Sequence, residues 1–398
     1  MERRYDIVLF GATGFTGRLT ARYLAVHAPA EARLALAGRD LAKLERLRSE
    51  LAADRSPERL DLLVADAADA GALAELAGSS RLVISTVGPY LRHGEPLVAA
   101  CVQAGTDYVD ISGEWEFVDR VYLRHHEAAR RSGARLVHSC GYESIPFDLG
   151  ALFTVREIGD QTPIALRGFG LAKGSFSGGT YQSALQAIGR LEEGGQIARQ
   201  RRATERHAPD GGVVGDRRVR GVRGRLRREP LAGGWALPAP TVDPQHVLRS
   251  ARLHPAYGPD FSYSNHFVTG SLLRTSAVAA GFGVVMAWAQ VEPTRNLLRK
   301  LRAAGGGPSA EKRARSSFRV TFVADLDHGE RRMVTEVRGG DPGYDETAKM
   351  VSEAAICLAF DDPHARGGGQ WTPALACGER LIERLIRAGI QFSVIEHA

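Results

Sequence analysis

Ile7-Val-Leu-Phe-Gly-Ala-Thr-Gly-Phe-Thr-Gly17 is the stretch that decides the fold of this 398-residue chain. Four apolar residues in succession read as a buried strand, the glycines at 11, 14 and 17 as a tight turn, and Arg18 to Ala28 as a helix that opens straight out of it. In this pattern Gly11 permits the turn, Gly14 lets backbone approach a pyrophosphate, and Gly17 lets helix and strand pack closely. Free N–H groups and the positive dipole end at the helix start favour an anion there, with Thr13, Phe15 and Thr16 around it. The first element is therefore read as the opening unit of a dinucleotide-binding domain.

Working outward, short apolar runs alternate with helical stretches through the first 140 residues, the pattern of a parallel sheet built from strand–helix–strand units. Strands are expected at Tyr5–Phe10, Arg33–Ala37, Leu60–Val64, Leu82–Thr86, Tyr108–Ile111 and Arg135–His138. Asp40 is placed to cap the helix carrying Leu41, Leu44, Leu47 and Leu51. Pro96 suits a first helical turn, and Gly105 and Gly133 suit helix exits. Six such strands make a doubly wound α/β Rossmann sheet over residues 1–150.

The end of the second strand bears on which nicotinamide nucleotide binds. An NAD site places a carboxylate there for the ribose 2′-hydroxyl, whereas this strand ends Ala37-Gly38-Arg39. Arg39, with Lys43, can grip a 2′-phosphate through charge-assisted bonds, so NADP(H) is the expected cofactor. Asp66 is placed to reach the adenine edge, and Thr86-Val87-Gly88-Pro89 to run beside the nicotinamide half.

From residue 151 the pattern changes. Phe318-Arg-Val-Thr-Phe-Val-Ala-Asp-Leu alternates apolar and polar residues, which predicts a strand with one buried face, and Met333-Val-Thr-Glu-Val-Arg reads as its hairpin partner. A second α+β domain with an antiparallel sheet is expected over 151–345. The tail, 346–398, is expected to be helices (Asp345–Phe360 and Leu375–Ala388, the latter ended by Gly389) that pack back on the first domain.

Composition narrows the class. With 44% hydrophobic and 25% charged residues the chain reads as globular. The four cysteines, Cys101, Cys140, Cys357 and Cys377, form no CxxC pair and suit a reduced, cytoplasmic setting. Met-Glu-Arg-Arg runs directly into the first strand, leaving no room for a signal peptide. Ala277–Ala289 is too short to span a bilayer and reads as a buried strand or helix, with peripheral membrane contact or a lining for a greasy substrate as the alternatives. Between Arg199 and Arg228 eleven arginines stand against three acids. A solvated, mobile insertion is the plain reading of that run; a docking surface for an acidic carrier protein or anionic lipid is the sharper one. No nucleic acid is expected, since aromatics are not interleaved. His125-His-Glu127 lacks HExxH spacing, so no metal is expected either.

Gly11-Ala-Thr-Gly-Phe-Thr-Gly17, Ala37-Gly-Arg39, Ser85-Thr-Val-Gly-Pro-Tyr90, Tyr108-Val-Asp-Ile-Ser-Gly-Glu114 and Gly141-Tyr-Glu-Ser-Ile-Pro-Phe-Asp148 together resemble the saccharopine dehydrogenase-like oxidoreductases, and within them the trans-acting enoyl reductases of actinobacteria. Ser177-Gly-Gly-Thr180 and Gly368-Gly-Gln-Trp-Thr-Pro-Ala374 extend the resemblance. It implies a reductase that takes hydride from NADPH to reduce the C=C bond of an enoyl thioester, carried by an acyl carrier protein or polyketide synthase, in lipid or polyketide biosynthesis. A homo-oligomer is also expected. The alternatives are reduction of a C=N or C=O group in a small metabolite, and a non-enzymatic NADP(H) sensor.

Enoyl reduction needs stabilisation of the enolate oxygen and a proton for the α-carbon. His138, Cys140, Tyr142, Glu143 and Ser144 follow the sixth strand, at the sheet edge where open α/β folds bind ligands. Tyr142 is the first candidate acid, with Tyr181 and Ser177 from the second domain beside it. Packing under the domain junction is the alternative for Tyr142, a core role for His138, and helix capping for Ser144 and Asp148.

Overall fold

A computed structural model describes residues 3–56, 59–159, 161–174, 190–207, 216–239, 241–290, 294, 307–361 and 367–397. Strands β1 (Tyr5–Phe10), β2 (Leu34–Gly38), β3 (Leu60–Val64), β4 (Ser80–Ser85), β5 (Asp107–Asp110) and β6 (Arg135–Val137) form where the apolar runs predict them, within two residues at each end. They pair in parallel in the order β6-β5-β4-β1-β2-β3, the doubly wound arrangement. Helices α1 (Phe15–His27), α2 (Leu41–Glu50), α3 (Ala70–Ser79), α4 (Tyr90–His93), α5 (Glu95–Ala104) and α6 (Trp115–Ser132) fill the crossovers. Asp40 caps α2 by accepting from the Lys43 N–H at 3.1 Å, and Gly105 and Gly133 take left-handed conformations at the ends of α5 and α6.

Both faces of this sheet are covered, as an all-parallel sheet requires. Val8, Phe10, Val83, Tyr108 and Leu136 point toward α3, α5 and α6. Ile7, Leu9, Ile84, Val109 and Val137 point the other way, into a core that continues through α7 (Ile145–Ile158) to the second sheet.

The second sheet is mixed. Around β7 (Ile164–Lys173), α8 (Leu191–His207), β8 (Arg218–Gly221), β9 (Arg227–Glu229), β10 (Gly234–Pro238), α9 (Asp243–Leu253) and β11 (Asp260–Gly270) follow one another, then α10 (Leu272–Gln290), β12 (Ser317–Leu326) and β13 (Arg331–Gly339). β12 and β13 form the predicted antiparallel pair, while β11 runs parallel to both β7 and β8. One expectation about β12 is corrected. Thr321 is buried as well as Phe322, because the second face of the sheet carries its own cluster of Phe169, Ala236, Val268, Val323 and Val334.

The tail holds more than helices. α11 (Asp345–Ile356) packs on α1, with the Tyr23 hydroxyl donating to Glu353 at 2.7 Å, but Gly369–Trp371 forms β14 and adds a seventh strand beside β6. After α12 (Gly378–Arg387), Gln391–His397 forms β15 on the edge of the second sheet beside β13. The tail thus completes both sheets. Two further readings are corrected. The apolar stretch around 277–289 is a helix, α10, but it leaves Leu273, Val278, Val284 and Trp288 exposed, so it is no core element. No helix among the described residues is long and apolar enough to cross a membrane. The arginine run, read as a solvated insertion, is helix, two short strands and a loop at 222–226 in its described parts, and Arg201 is buried against Asp119 at 2.9 Å.

Candidate active site

The glycine turn is built by steric necessity. Gly11 has φ +89°, and a Cβ there would stand 2.7 Å from both Thr86 Oγ1 and Val87 Cγ2. A Cβ on Gly17 would fall on the Gly11 carbonyl oxygen, so these two glycines close the turn on itself and on the loop after β4. Gly14 differs. Only the Gly11 oxygen, at 3.3 Å, lies near its Cβ position, and the residue is exposed at the start of α1. The open space beside Gly14, above the free N–H groups of the first helical turn, fits a pyrophosphate. Thr86 Oγ1 donates toward the carbonyl oxygens of Phe10 and Gly11, both at 3.2 Å, which fixes the Thr86–Pro89 loop against the turn. Phe15 is held from above by the second domain's chain: its ring meets Tyr344 edge-on, 4.7 Å between centroids, and the Arg313 guanidinium lies over it at 5.6 Å.

At the adenosine end Arg39 is exposed, with Asp66 3.9 Å away, and Lys43 reaches back to Asp40 at 3.3 Å. Asp66 is occupied in part by capping its own turn, accepting from the Ala68 N–H at 2.9 Å. Two cations therefore stand beside the end of β2, where a 2′-phosphate would lie.

At the carboxyl ends of β5 and β6 lies a buried polar cluster. His138 Nδ1 meets Asp110 Oδ2 at 2.7 Å, both fully buried, and Asp110 also accepts from the N–H groups of Ser112 and Ser139, both at 3.0 Å. Ser139 has φ +60°, an uncommon conformation for a residue with a Cβ, and its hydroxyl links Ser112 to His246. Burial, with the charges of Arg201 and His138 adding to it, pushes the His246 imidazole down to about 3, so it stays neutral.

Tyr142 and Glu143 follow directly. The Tyr142 N–H donates to Thr347 Oγ1 at 3.1 Å, and the ring packs on Phe147 and Phe318, but its buried hydroxyl has no hydrogen-bond partner among the described residues. Packing under the junction, the alternative reading of Tyr142, thus describes the ring and leaves the hydroxyl unused. Burial raises the phenol above its ordinary range, with Asp243 and Glu143 adding to the effect. Glu143 Oε2 is likewise buried and unpartnered, and burial, reinforced by Asp110, pushes this carboxyl up to about 7. Glu143 also acts on the Tyr90 phenol, which directly follows Pro89, and its Cγ lies 3.4 Å from where a Cβ on Gly113 would stand.

Other expectations are sorted by the same geometry. Ser144 stands at the N-cap of α7, but its buried hydroxyl has no partner among the described residues; Asp148 accepts from the Ser250 hydroxyl at 2.6 Å and the Ala374 N–H at 2.8 Å, tying α7 to α9 and the tail. Cys140 is buried and free, and burial raises its thiol, which suits packing. His126 accepts from the Gln370 N–H at 2.9 Å, and no metal-ligating group of three occurs among the described residues. Ser177, Thr180 and Tyr181 lie outside the described residues. Sequence reasoning missed Asp243 and His246, which α9 brings to the cluster from a hundred residues away; the Asp-Pro at its start signals a helix and nothing more.

Comparison with known proteins agrees with this geometry. Residues 7–137 match the saccharopine dehydrogenase NADP binding domain. A Mycobacterium tuberculosis protein named "Putative trans-acting enoyl reductase Rv2449c" is 37% identical over 98% of this chain and 97% of its own length. The trans-acting enoyl reductases of Mycobacterium ulcerans and Mycobacterium leprae are 35% and 34% identical, each again covering 98% of this chain. Saccharopine dehydrogenase (L-Glu forming) of Saccharomyces cerevisiae shares the fold, with a TM-score of 0.57 at 12% identity over 98% of this chain and 100% of its own. With its NADP-binding domain and its likeness running nearly end to end, the chain belongs to the trans-acting enoyl reductase family of saccharopine dehydrogenase-like oxidoreductases.

Proposed function

We propose that this protein is an NADPH-dependent enoyl reductase that acts in trans on an enoyl thioester borne by a polyketide synthase lacking that activity. The observation that carries the reading is that the Tyr142 hydroxyl and Glu143 Oε2, on consecutive residues after β6, are buried with no hydrogen-bond partner among the described residues. The turn at Gly11–Gly17 would hold the pyrophosphate, Arg39 and Lys43 the 2′-phosphate and Asp66 the adenine edge, and Thr86 to Pro89 would border the nicotinamide. NADPH, when bound, supplies the hydride that reaches the β-carbon.

The two side chains divide the remaining work by their environments. A phenol raised above its ordinary range keeps its proton, so Tyr142 serves as a hydrogen-bond donor to the thioester oxygen as negative charge develops there. A carboxyl near 7 is matched to proton transfer at neutral pH, so Glu143 protonates the α-carbon and is reloaded from solvent. The neighbours acting on this pair are acids, Asp110 and Asp243, and burial holds the Asp243 carboxyl well above its ordinary range.

The test is nicotinamide oxidation against enoyl thioesters, imines and ketones with NADPH and NADH. Turnover with enoyl thioesters and NADPH is expected; turnover confined to imines refutes the reading. Because Glu143 must be protonated to act, kcat should fall as pH rises through about 7. Glu143→Gln should remove that limb along with most of the turnover, and Tyr142→Phe should lower kcat and keep the limb. Full activity in both variants would take the chemistry away from this pair.

A further inference from the structure

On α8 the arginines divide by helical spacing. Arg201 and Glu205, four apart, are buried against Asp119 and Arg249, while Arg199, Arg202 and Arg206 lie on the opposite face, exposed. Arg252 of α9 stands 3.8 Å from Glu205, and the Arg217 guanidinium donates to the Arg252 and His254 carbonyl oxygens at 3.0 and 2.9 Å. α9 therefore meets both α8 and the chain entering β8, which gathers their arginines into one region of the surface. Among the described residues few acids neutralise it. Glu205 is enclosed by Arg249 and Arg201, and Asp260 takes Arg220 at 2.8 Å with Arg218 at 3.8 Å. Arg202, Arg206, Arg223 and Arg225 are exposed and make no ion pair among the described residues. Val222 and Leu226, each about half exposed, are interleaved with them, so the face offers apolar contacts as well as charge.

This face adjoins the active site. A Cβ on Gly224 would lie 3.2 Å from His266 Nε2 and 3.4 Å from the Asn265 carbonyl oxygen; Asn265 Nδ2 donates to Asp243 Oδ2 at 3.2 Å, and Asp243 is near enough to Tyr142 to help raise its phenol.

We infer that the arginine face of α8, β8 and the 222–226 loop is the docking surface for an acidic carrier domain, which presents the enoyl chain to Tyr142 and Glu143 on a flexible arm. The inference rests on the enoyl reductase reading. Unneutralised positive charge selects a partner with surplus acid and accelerates encounter, an effect that weakens with salt. Adjacency to the site favours a partner that must deliver a tethered substrate over a bilayer, which need only be touched.

The experiment compares one enoyl chain on an isolated carrier domain and on a small pantetheine thioester, together with direct carrier binding by fluorescence anisotropy. Arg223→Glu/Arg225→Glu and Arg202→Glu/Arg206→Glu change exposed, unpaired side chains and leave the fold intact. Each pair should lower kcat/KM on the carrier about tenfold or more and flatten its salt dependence, with turnover of the small thioester unchanged. Carrier binding and carrier turnover equal to wild type in both variants would overturn the inference, as would loss of binding to anionic phospholipid vesicles with the carrier unaffected. Wild-type protein that binds the carrier but reduces no enoyl thioester would refute the reductase reading and leave the docking surface standing.

Discussion

The three glycines of the cofactor turn should separate cleanly when each is replaced by alanine. In Gly11→Ala the new Cβ stands 2.7 Å from two side-chain atoms of the loop after β4, on a backbone at φ +89°. A positive φ costs a residue with a Cβ about 1–2 kcal/mol, and overpacking adds roughly 1–3 kcal/mol, so the apoprotein should lose about 2–5 kcal/mol. Gly17→Ala places its Cβ on a backbone oxygen rather than a movable side chain, and should cost at least as much. Gly14→Ala meets one atom at 3.3 Å at an exposed helix start, where exchanging glycine for alanine shifts stability by about 1 kcal/mol or less. Its methyl group instead occupies the space a pyrophosphate needs. Urea unfolding without cofactor should therefore show Gly14→Ala close to wild type and the other two far below it. NADPH titration of the folded proteins should show Gly14→Ala binding at least tenfold more weakly, about 1.4 kcal/mol. Wild-type NADPH affinity in Gly14→Ala, or an apoprotein as unstable as Gly11→Ala, would refute this division into two structural glycines and one that borders the ligand.

Other measurements probe the neighbouring arguments. Arg39→Ala should remove charge-assisted bonds worth about 1.5–3 kcal/mol, weakening NADPH by roughly one to two orders of magnitude in calorimetry while NADH affinity stays constant; equal losses for both cofactors would place Arg39 elsewhere. Arg201→Ala leaves Asp119 buried without its cation and should cost about 3–5 kcal/mol, whereas the exposed Arg202→Ala should stay within about 0.5 kcal/mol, both read from urea midpoints. Burial raises the Asp148 carboxyl from 3.8 to about 6, so the folded state holds a proton that the unfolded chain releases across that window. Its contribution is absent below pH 3.8, grows less favourable as pH rises, and is fully destabilising above about 6, by roughly 3 kcal/mol. The stability difference between wild type and Asp148→Asn should move by that amount between pH 4 and 7, and a flat difference would show that the carboxyl ionises freely in the fold.

What could be read from the sequence alone was what depends on neighbours along the chain. Ile7 to Phe10 is apolar because it is enclosed on both faces, Asp40 precedes the helix it caps, and Arg39 stands where an acid is missing; the parallel sheet, the turn and the pair of cations beside the adenosine end follow from such local patterns. Tertiary structure decided what depends on distant partners. Gly369–Trp371 and Gln391–His397 carry too short a signal to be told from the helical tail around them, and become strands only because β6 and β13 offer free edges. Arg201 and Arg202 are adjacent and chemically identical, yet one is buried against Asp119 and the other exposed, a difference set by which face of α8 meets α6. Asp243, His246 and Thr347 join Tyr142 and Glu143 only when α9 and α11 fold over them. The glycine turn and the helix that opens from it were legible because helix dipoles and glycine turns are local; the raised carboxyl of Glu143 arises from desolvation, and desolvation exists only once the chain has closed around it.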